Sequence, residues 1–129
     1  MFHVGSQHLE GAFFRHKTFG SSMDPTDSHL LLLLYAAECG LKRLLLKQRS
    51  LHSTERLDED DLTHDLDELL RKLGSPERFG ICPAEPGPVS VHPERLHEVL
   101  RYGGRLQRER RAEIVSRAFS VLAWIEEAL

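Results

Sequence analysis

The stretch Leu30–Leu46 reads LLLLLYAAECGLKRLLL, and Glu38 and Lys42 stand four residues apart in the middle of it. A helix this apolar on nearly every face is covered on every face, so the run predicts the central member of a helical domain. Placing a carboxylate there costs several kcal/mol unless a partner meets it. Glu38 and Lys42 fall on the same stripe as Leu31, Leu34 and Leu45. Two readings follow: an internal or intersubunit ion pair that fixes packing and reaches His64 or Arg101, or a carboxylate working in a cleft.

Working outward, residues 6–17 (SQHLEGAFFRHK) predict a first helix with Leu9, Ala12, Phe13 and His16 on one face, and Phe19–Asp24 a connection. Thr26 or Asp27 caps the second helix, with Pro25 just ahead, and the pattern runs to about Ser50. Some 25 residues at 1.5 Å each span roughly 37 Å, the long axis of a bundle. Glu55–Asp61 reads as an acidic, mobile loop. Thr63 reads as the cap of a third helix, HDLDELLRKL, whose acidic first turn and late Arg71 and Lys72 suit the helix dipole. Gly74 stops it.

Residues 75–92 hold four of the six prolines and read as a surface loop or short extended segments. A short helix follows Pro93 (ERLHEVLRY), ended by Gly103 and Gly104. The last helix, about Arg108 to Leu129, has a stripe of Val115, Ala118, Phe119, Leu122, Ile125 and Leu129. Ile114, Val121 and Trp124 widen its apolar surface, which suits either a subunit interface or a crowded monomeric core. There are no internal repeats and no convincing strands. The expected architecture is all-α, an up-and-down bundle of four to five helices in one domain over residues 1–129.

With 129 residues, 40% hydrophobic and 29% charged, the chain has the composition of a globular domain with a core of its own. The net charge of −3 supplies no overall pull toward nucleic acid, so such binding needs a local patch. Cys39 lies in the apolar helix and Cys82 in a Pro/Gly loop, which favours a reduced compartment. No signal-peptide pattern is present, and the eight apolar residues Leu30–Ala37 fall short of the ~20 that cross a bilayer. The expectation is a cytoplasmic protein with no membrane contact.

Ala36–Lys42 (AAECGLK), then Thr63-His64-Asp65-Leu66 after an acidic loop, then Arg101-Tyr102, together resemble the bacterial HEPN domains, in particular the small stand-alone members. The resemblance extends over nearly the whole chain. It implies an α-helical bundle, often a homodimer through its long helices, working beside a nucleotidyltransferase or another defence component in anti-phage or toxin–antitoxin systems. Many members are metal-independent ribonucleases built on an Arg-x4–6-His motif. That spacing is absent here: two residues separate Arg49 from His52, one separates Arg95 from His97, and seven separate Arg56 from His64. The resemblance therefore implies a non-catalytic module that binds a partner protein or RNA. The alternatives are a ribonuclease with a divergent centre, and a purely structural docking subunit.

His64 and Asp65 open the third helix. They read either as a cap with a hydrogen bond to the neighbouring helix, forming a polar cluster with Glu38, Lys42, Arg101 and Tyr102, or as part of a ribonuclease centre. Such a centre needs a base for the 2′-hydroxyl, an acid for the leaving oxygen and a cation for the developing charge. His64, Arg56 and Glu38 are its candidates. Arg101, Arg105, Arg108, Arg110 and Arg111 face one acid, Glu109, a local excess of four positive charges. They suit RNA or nucleotide phosphate, an acidic partner protein, or a solvated surface. The eight histidines lack metal-site spacing, and the Glu55–Asp61 acids lack a calcium loop's alternation. Neither a metal nor a cofactor is expected.

Overall fold

The structure is a computed structural model, and it describes residues 3–23, 26–80, 82–85, 89–91, 93–101, 105–106 and 108–129. Among these residues it is an all-α bundle of five helices: α1 (Ser6–Gly20), α2 (Asp27–Gln48), α3 (Leu66–Lys72), α4 (Pro93–Arg101) and α5 (Arg108–Ala128). Two 3₁₀ turns, Thr54–Arg56 and Glu59–Leu62, bridge α2 to α3. No described helix is long and apolar enough to cross a membrane.

α2 is the axis. No residue from Leu30 to Leu46 is exposed, and Leu30, Leu33, Ala36, Ala37, Leu41, Leu45 and Leu46 are wholly buried. Thr26 caps it in a box with His29: the Thr26 hydroxyl accepts from the His29 N–H, and the His29 ring lies 3.0 Å from the Thr26 N–H. α1 runs antiparallel to α2 and is one turn longer than the sequence pattern suggests, because Phe19 and Gly20 remain helical. Gly20 packs against the first turns of α2, where a Cβ would meet the His29 carbonyl oxygen and a Leu33 methyl at 3.0 Å. α5 runs alongside α2 in the same direction, tied at its start by Arg111 to Asp27 (2.6 Å) and at its end by Lys47 to the Ala128 carbonyl (3.1 Å). Ile114, Val115, Ala118, Val121, Leu122 and Ile125 enter the core, so much of the wide apolar face of α5 is used within the monomer.

Several elements differ from the sequence reading. The acidic loop is anchored: Asp61 is 2% exposed, bonded by Arg49, the residue that follows α2, and, at 2.9 Å, by Lys72 from α3. Arg49, foremost, holds the Asp61 carboxyl below the usual carboxylate range. The cap of α3 is Asp65 rather than Thr63. The Asp65 carboxylate accepts from the Glu68 N–H at 3.3 Å, while the Thr63 hydroxyl accepts from Asp65 N–H at 3.0 Å. Gly74 ends the helix with φ +74°.

The Pro-rich stretch is not wholly superficial. Phe79 is fully buried, and the Asp67 carboxylate accepts from the N–H groups of Phe79 (2.6 Å) and Gly80 (2.9 Å). Arg117 of α5 donates to the Phe79 carbonyl. Beyond it, β1 (Cys82–Glu85) pairs antiparallel with both β2 (Val89–Val91) and β3 (Arg105–Leu106), in the order β2-β1-β3. These strands are too short to show an alternating pattern, so nothing in the sequence marks them as paired.

Candidate functional site

His64 sits in the turn just ahead of α3, and the Thr63 and Asp65 bonds described above direct it back over α2. Its Nδ1 hydrogen-bonds the Glu38 carboxylate. A carboxylate only accepts, so Nδ1 carries the proton, and Nε2 is left as the second functional atom of the ring. Lys42, one turn along α2, lies 3.7 Å from the same Glu38 oxygen. That distance makes an ion pair but exceeds a hydrogen bond, so both groups keep hydrogen-bonding capacity. Glu38 and Lys42 side chains are 22% and 13% exposed, and His64 is 59% exposed.

α4 closes the other side. Pro93 begins it, as proline suits a first helical position, and Leu96 anchors it in the core. His97 and Arg101 are four residues apart and therefore share a face. The His97 ring lies 4.9 Å from the His64 ring, centre to centre, tilted by 49°. Burial, followed by the neighbouring His64, pushes the His97 imidazole below its ordinary range. Arg101 donates through Nε to the Tyr35 hydroxyl oxygen at 3.1 Å, and through Nη2 to the same atom. The guanidinium carbon also lies over the Tyr35 ring, 5.7 Å from its centre, within cation–π range. The His16 ring of α1 lies 6.0 Å from the Tyr35 ring, centre to centre.

These groups, with the apolar Leu34 and Leu66, line one cleft whose free space, counting the solvent at its mouth, is about 400 Å³. A second cavity, about 690 Å³ of free space, opens on the other side of Glu38 and His64. It is lined by Val4, Leu9, Cys39 and Leu62, together with the buried Thr54 and with Lys42. The Thr54 hydroxyl accepts from Val4 N–H at 3.0 Å, which holds the N-terminal segment in place as a wall. Burial pushes the Cys39 thiol up to about 11, so it lines the cavity as a neutral group.

Glu38, Lys42, His64 and Arg101 thus converge on adjoining cavities, while Asp65 serves as the α3 cap. Arg56 is exposed in a 3₁₀ turn and lines neither cavity. The arginine series is dispersed: Arg101 points to Tyr35, Arg110 pairs with Glu113 at 3.0 Å, and Arg111 pairs with Asp27. Arg105 lies in β3 and Arg108 opens α5, their backbones alone being described; Tyr102 lies outside the described residues. Tyr35 and His97 were not singled out by the sequence. The signal for His97 was its four-residue spacing to Arg101 on a strongly amphipathic helix, whereas nothing local marks Tyr35.

Chemically, the cleft offers one planar cation, two imidazoles within contact of each other and a carboxylate that orients one of them. That set fits an anion with several oxygens, a phosphate above all. No group of three metal-ligating side chains occurs among the described residues. No protein-family model, curated protein or solved structure matches this chain.

Proposed function

We propose that this chain is a HEPN-like helical module that holds the phosphodiester backbone of single-stranded RNA in the cleft of Tyr35, Glu38, His64, His97 and Arg101. It acts as a non-catalytic binding subunit in a bacterial defence or toxin–antitoxin system, the setting that the resemblance implies. The observation that carries the binding reading is the meeting of His64 with His97 and Arg101 over one cleft. The Arg101 guanidinium, positioned by its bonds to the Tyr35 hydroxyl, brings to the cleft a planar cation of the kind that suits phosphate oxygens. An arriving phosphate favours protonation of the His97 imidazole, so binding tightens as pH falls.

Fluorescence anisotropy with a labelled single-stranded RNA tests the proposal. Arg101→Ala weakens binding by roughly tenfold, the worth of a charged hydrogen bond, and lowers the salt dependence by about one ion. Unchanged affinity and salt slope would remove the cleft from the reading.

A metal-independent ribonuclease is the second reading, favoured by the same histidine pair. One imidazole would take the 2′-hydroxyl proton and the other protonate the 5′-oxygen, with Arg101 in the role assigned from sequence to Arg56. The contact between the two rings counts against it. An in-line transfer sets acid and base on opposite sides of phosphorus, and rings 4.9 Å apart leave no room for a phosphate between them. Incubation with tRNA in EDTA decides: cleavage lost in both His64→Ala and His97→Ala establishes catalysis, and intact tRNA leaves the binding reading in place.

A further inference from the structure

The second cavity carries more information than an apolar hollow would. Its walls come from three places, Val4 and Leu9 at the N-terminal end, Cys39 on α2, and Leu62 in the turn before α3. It adjoins the phosphate cleft through two shared side chains, Glu38 and His64. A strand whose phosphate lies against His64 and Arg101 therefore has a largely apolar space beside it for one of its bases. Glu38 and Lys42 stand together at the boundary, mostly withdrawn from solvent and 3.7 Å apart, too far to satisfy each other by a hydrogen bond.

The chemistry of that pair selects among the bases. A carboxylate only accepts and an ammonium only donates. The guanine edge offers two adjacent donors, N1–H and the N2 amino group, next to an acceptor, O6. The two donors meet the two carboxylate oxygens of Glu38, and O6 meets Lys42. Each other base places an acceptor where one of these two donors is required: N1 in adenine and N3 in cytosine in place of N1–H, O2 in uracil in place of the N2 amino group. That acceptor would face a carboxylate oxygen, an arrangement that leaves both unpaired and desolvated. His64 uses Glu38 Oε1 without exhausting it, since each carboxylate oxygen has two acceptor sites.

We infer that Glu38 and Lys42 read a guanine base in the Val4–Leu9–Cys39–Leu62 cavity, beside the cleft that holds its phosphate. The inference rests on the RNA-binding reading above and adds base specificity to it.

The test uses anisotropy with the full chain and fluorescein-labelled uridine octamers carrying one central guanosine, adenosine, cytidine or inosine, with GMP and AMP titrated separately by calorimetry. The guanosine octamer binds roughly ten- to a hundredfold more tightly than the adenosine and cytidine octamers, the usual discrimination of a two-point base contact. Inosine lacks the N2 amino group and falls between. Glu38→Gln and, independently, Lys42→Met abolish the preference. The inosine comparison needs no variant and stands even if a substitution disturbs folding. Equal affinity for all four octamers overturns guanine recognition and leaves RNA binding intact. Binding of none of them, with no binding of GMP, overturns both. GMP bound as tightly as the guanosine octamer upholds guanine recognition and replaces RNA with a free nucleotide as the ligand.

Discussion

Gly40 of α2 lies against both α1 and α5, and adding one methyl group there measures how closely. A Cβ at this position would lie 2.6 Å from Ile125 Cγ2 of α5, and 2.8 Å and 3.3 Å from the Phe13 ring of α1. Both neighbours are fully buried, so neither can swing aside into solvent. Gly40→Ala gains about 1 kcal/mol of helix propensity. Against that stands the cost of overpacking a full core, about 1–3 kcal/mol, here toward the upper end because two separate helices must shift. The net expectation is a loss of about 1–2 kcal/mol.

Gly11→Ala is the matched control. Gly11 also lies inside a helix, but its added Cβ meets nothing within 4 Å, so only the gain of about 0.5–1 kcal/mol applies. Thermal unfolding followed by far-ultraviolet circular dichroism compares the two. At about 4 °C per kcal/mol for a chain of this size, Gly40→Ala lowers Tm by roughly 4–8 °C and Gly11→Ala raises it by roughly 2–4 °C. A Gly40→Ala protein as stable as Gly11→Ala would refute the packing of α1 and α5 on α2 described above.

Three further outcomes are expected. Asp61→Ala costs about 2–3 kcal/mol in urea unfolding at pH 7, since two cations lose a buried carboxylate. Because Arg49 lowers the Asp61 pKa in the folded state, this stabilisation is complete above the ordinary carboxylate range and fades as pH falls below ~4. The gap between wild type and Asp61→Asn therefore narrows at pH 3, and a gap that stays constant would contradict the assignment. His97, held low chiefly by burial and then by His64, titrates in NMR below the usual ~6.5. With its folded pKa depressed, its contribution is complete above that value and is lost as pH falls, so His97→Gln flattens the stability profile between pH 7 and 5. Cys39, pushed up to about 11, resists iodoacetamide at pH 8 in a Cys82→Ser background until urea unfolds the chain; rapid alkylation in the fold would show the thiol to be open.

Leu30–Leu46 contained the central fact of the fold in a form that any reading of periodicity recovers. A helix with no polar face must be surrounded, and α1 and α5 surround it because their own apolar faces have no other place to go. The cap at Thr26, the end at Gly74 and the start of α4 at Pro93 were equally local, because caps and stops act through bonds a few residues long. Asp61 and Phe79 were misjudged for one reason. Their environment comes from groups distant in sequence, such as Asp67 for the Phe79 N–H or Arg49 and Lys72 for Asp61, and composition alone reads such segments as surface.

The candidate site divides along the same line. Glu38 and Lys42 were conspicuous because a charge within an apolar run is costly wherever the chain goes. His64 was singled out by its motif, but the bond of its Nδ1 to Glu38 depends on the turn that folds it back over α2. His97 and Arg101 became part of the site only when α4 packed on α2, while Arg56, nearer in sequence to His64, was carried away on its 3₁₀ turn. By itself the sequence determined which helices form and that Glu38 and Lys42 sit at a cost within an apolar helix, since both follow from local bonding and solvation. Only the tertiary structure decided which of those charges meet, because a cleft is built from the packing of faces that lie far apart along the chain.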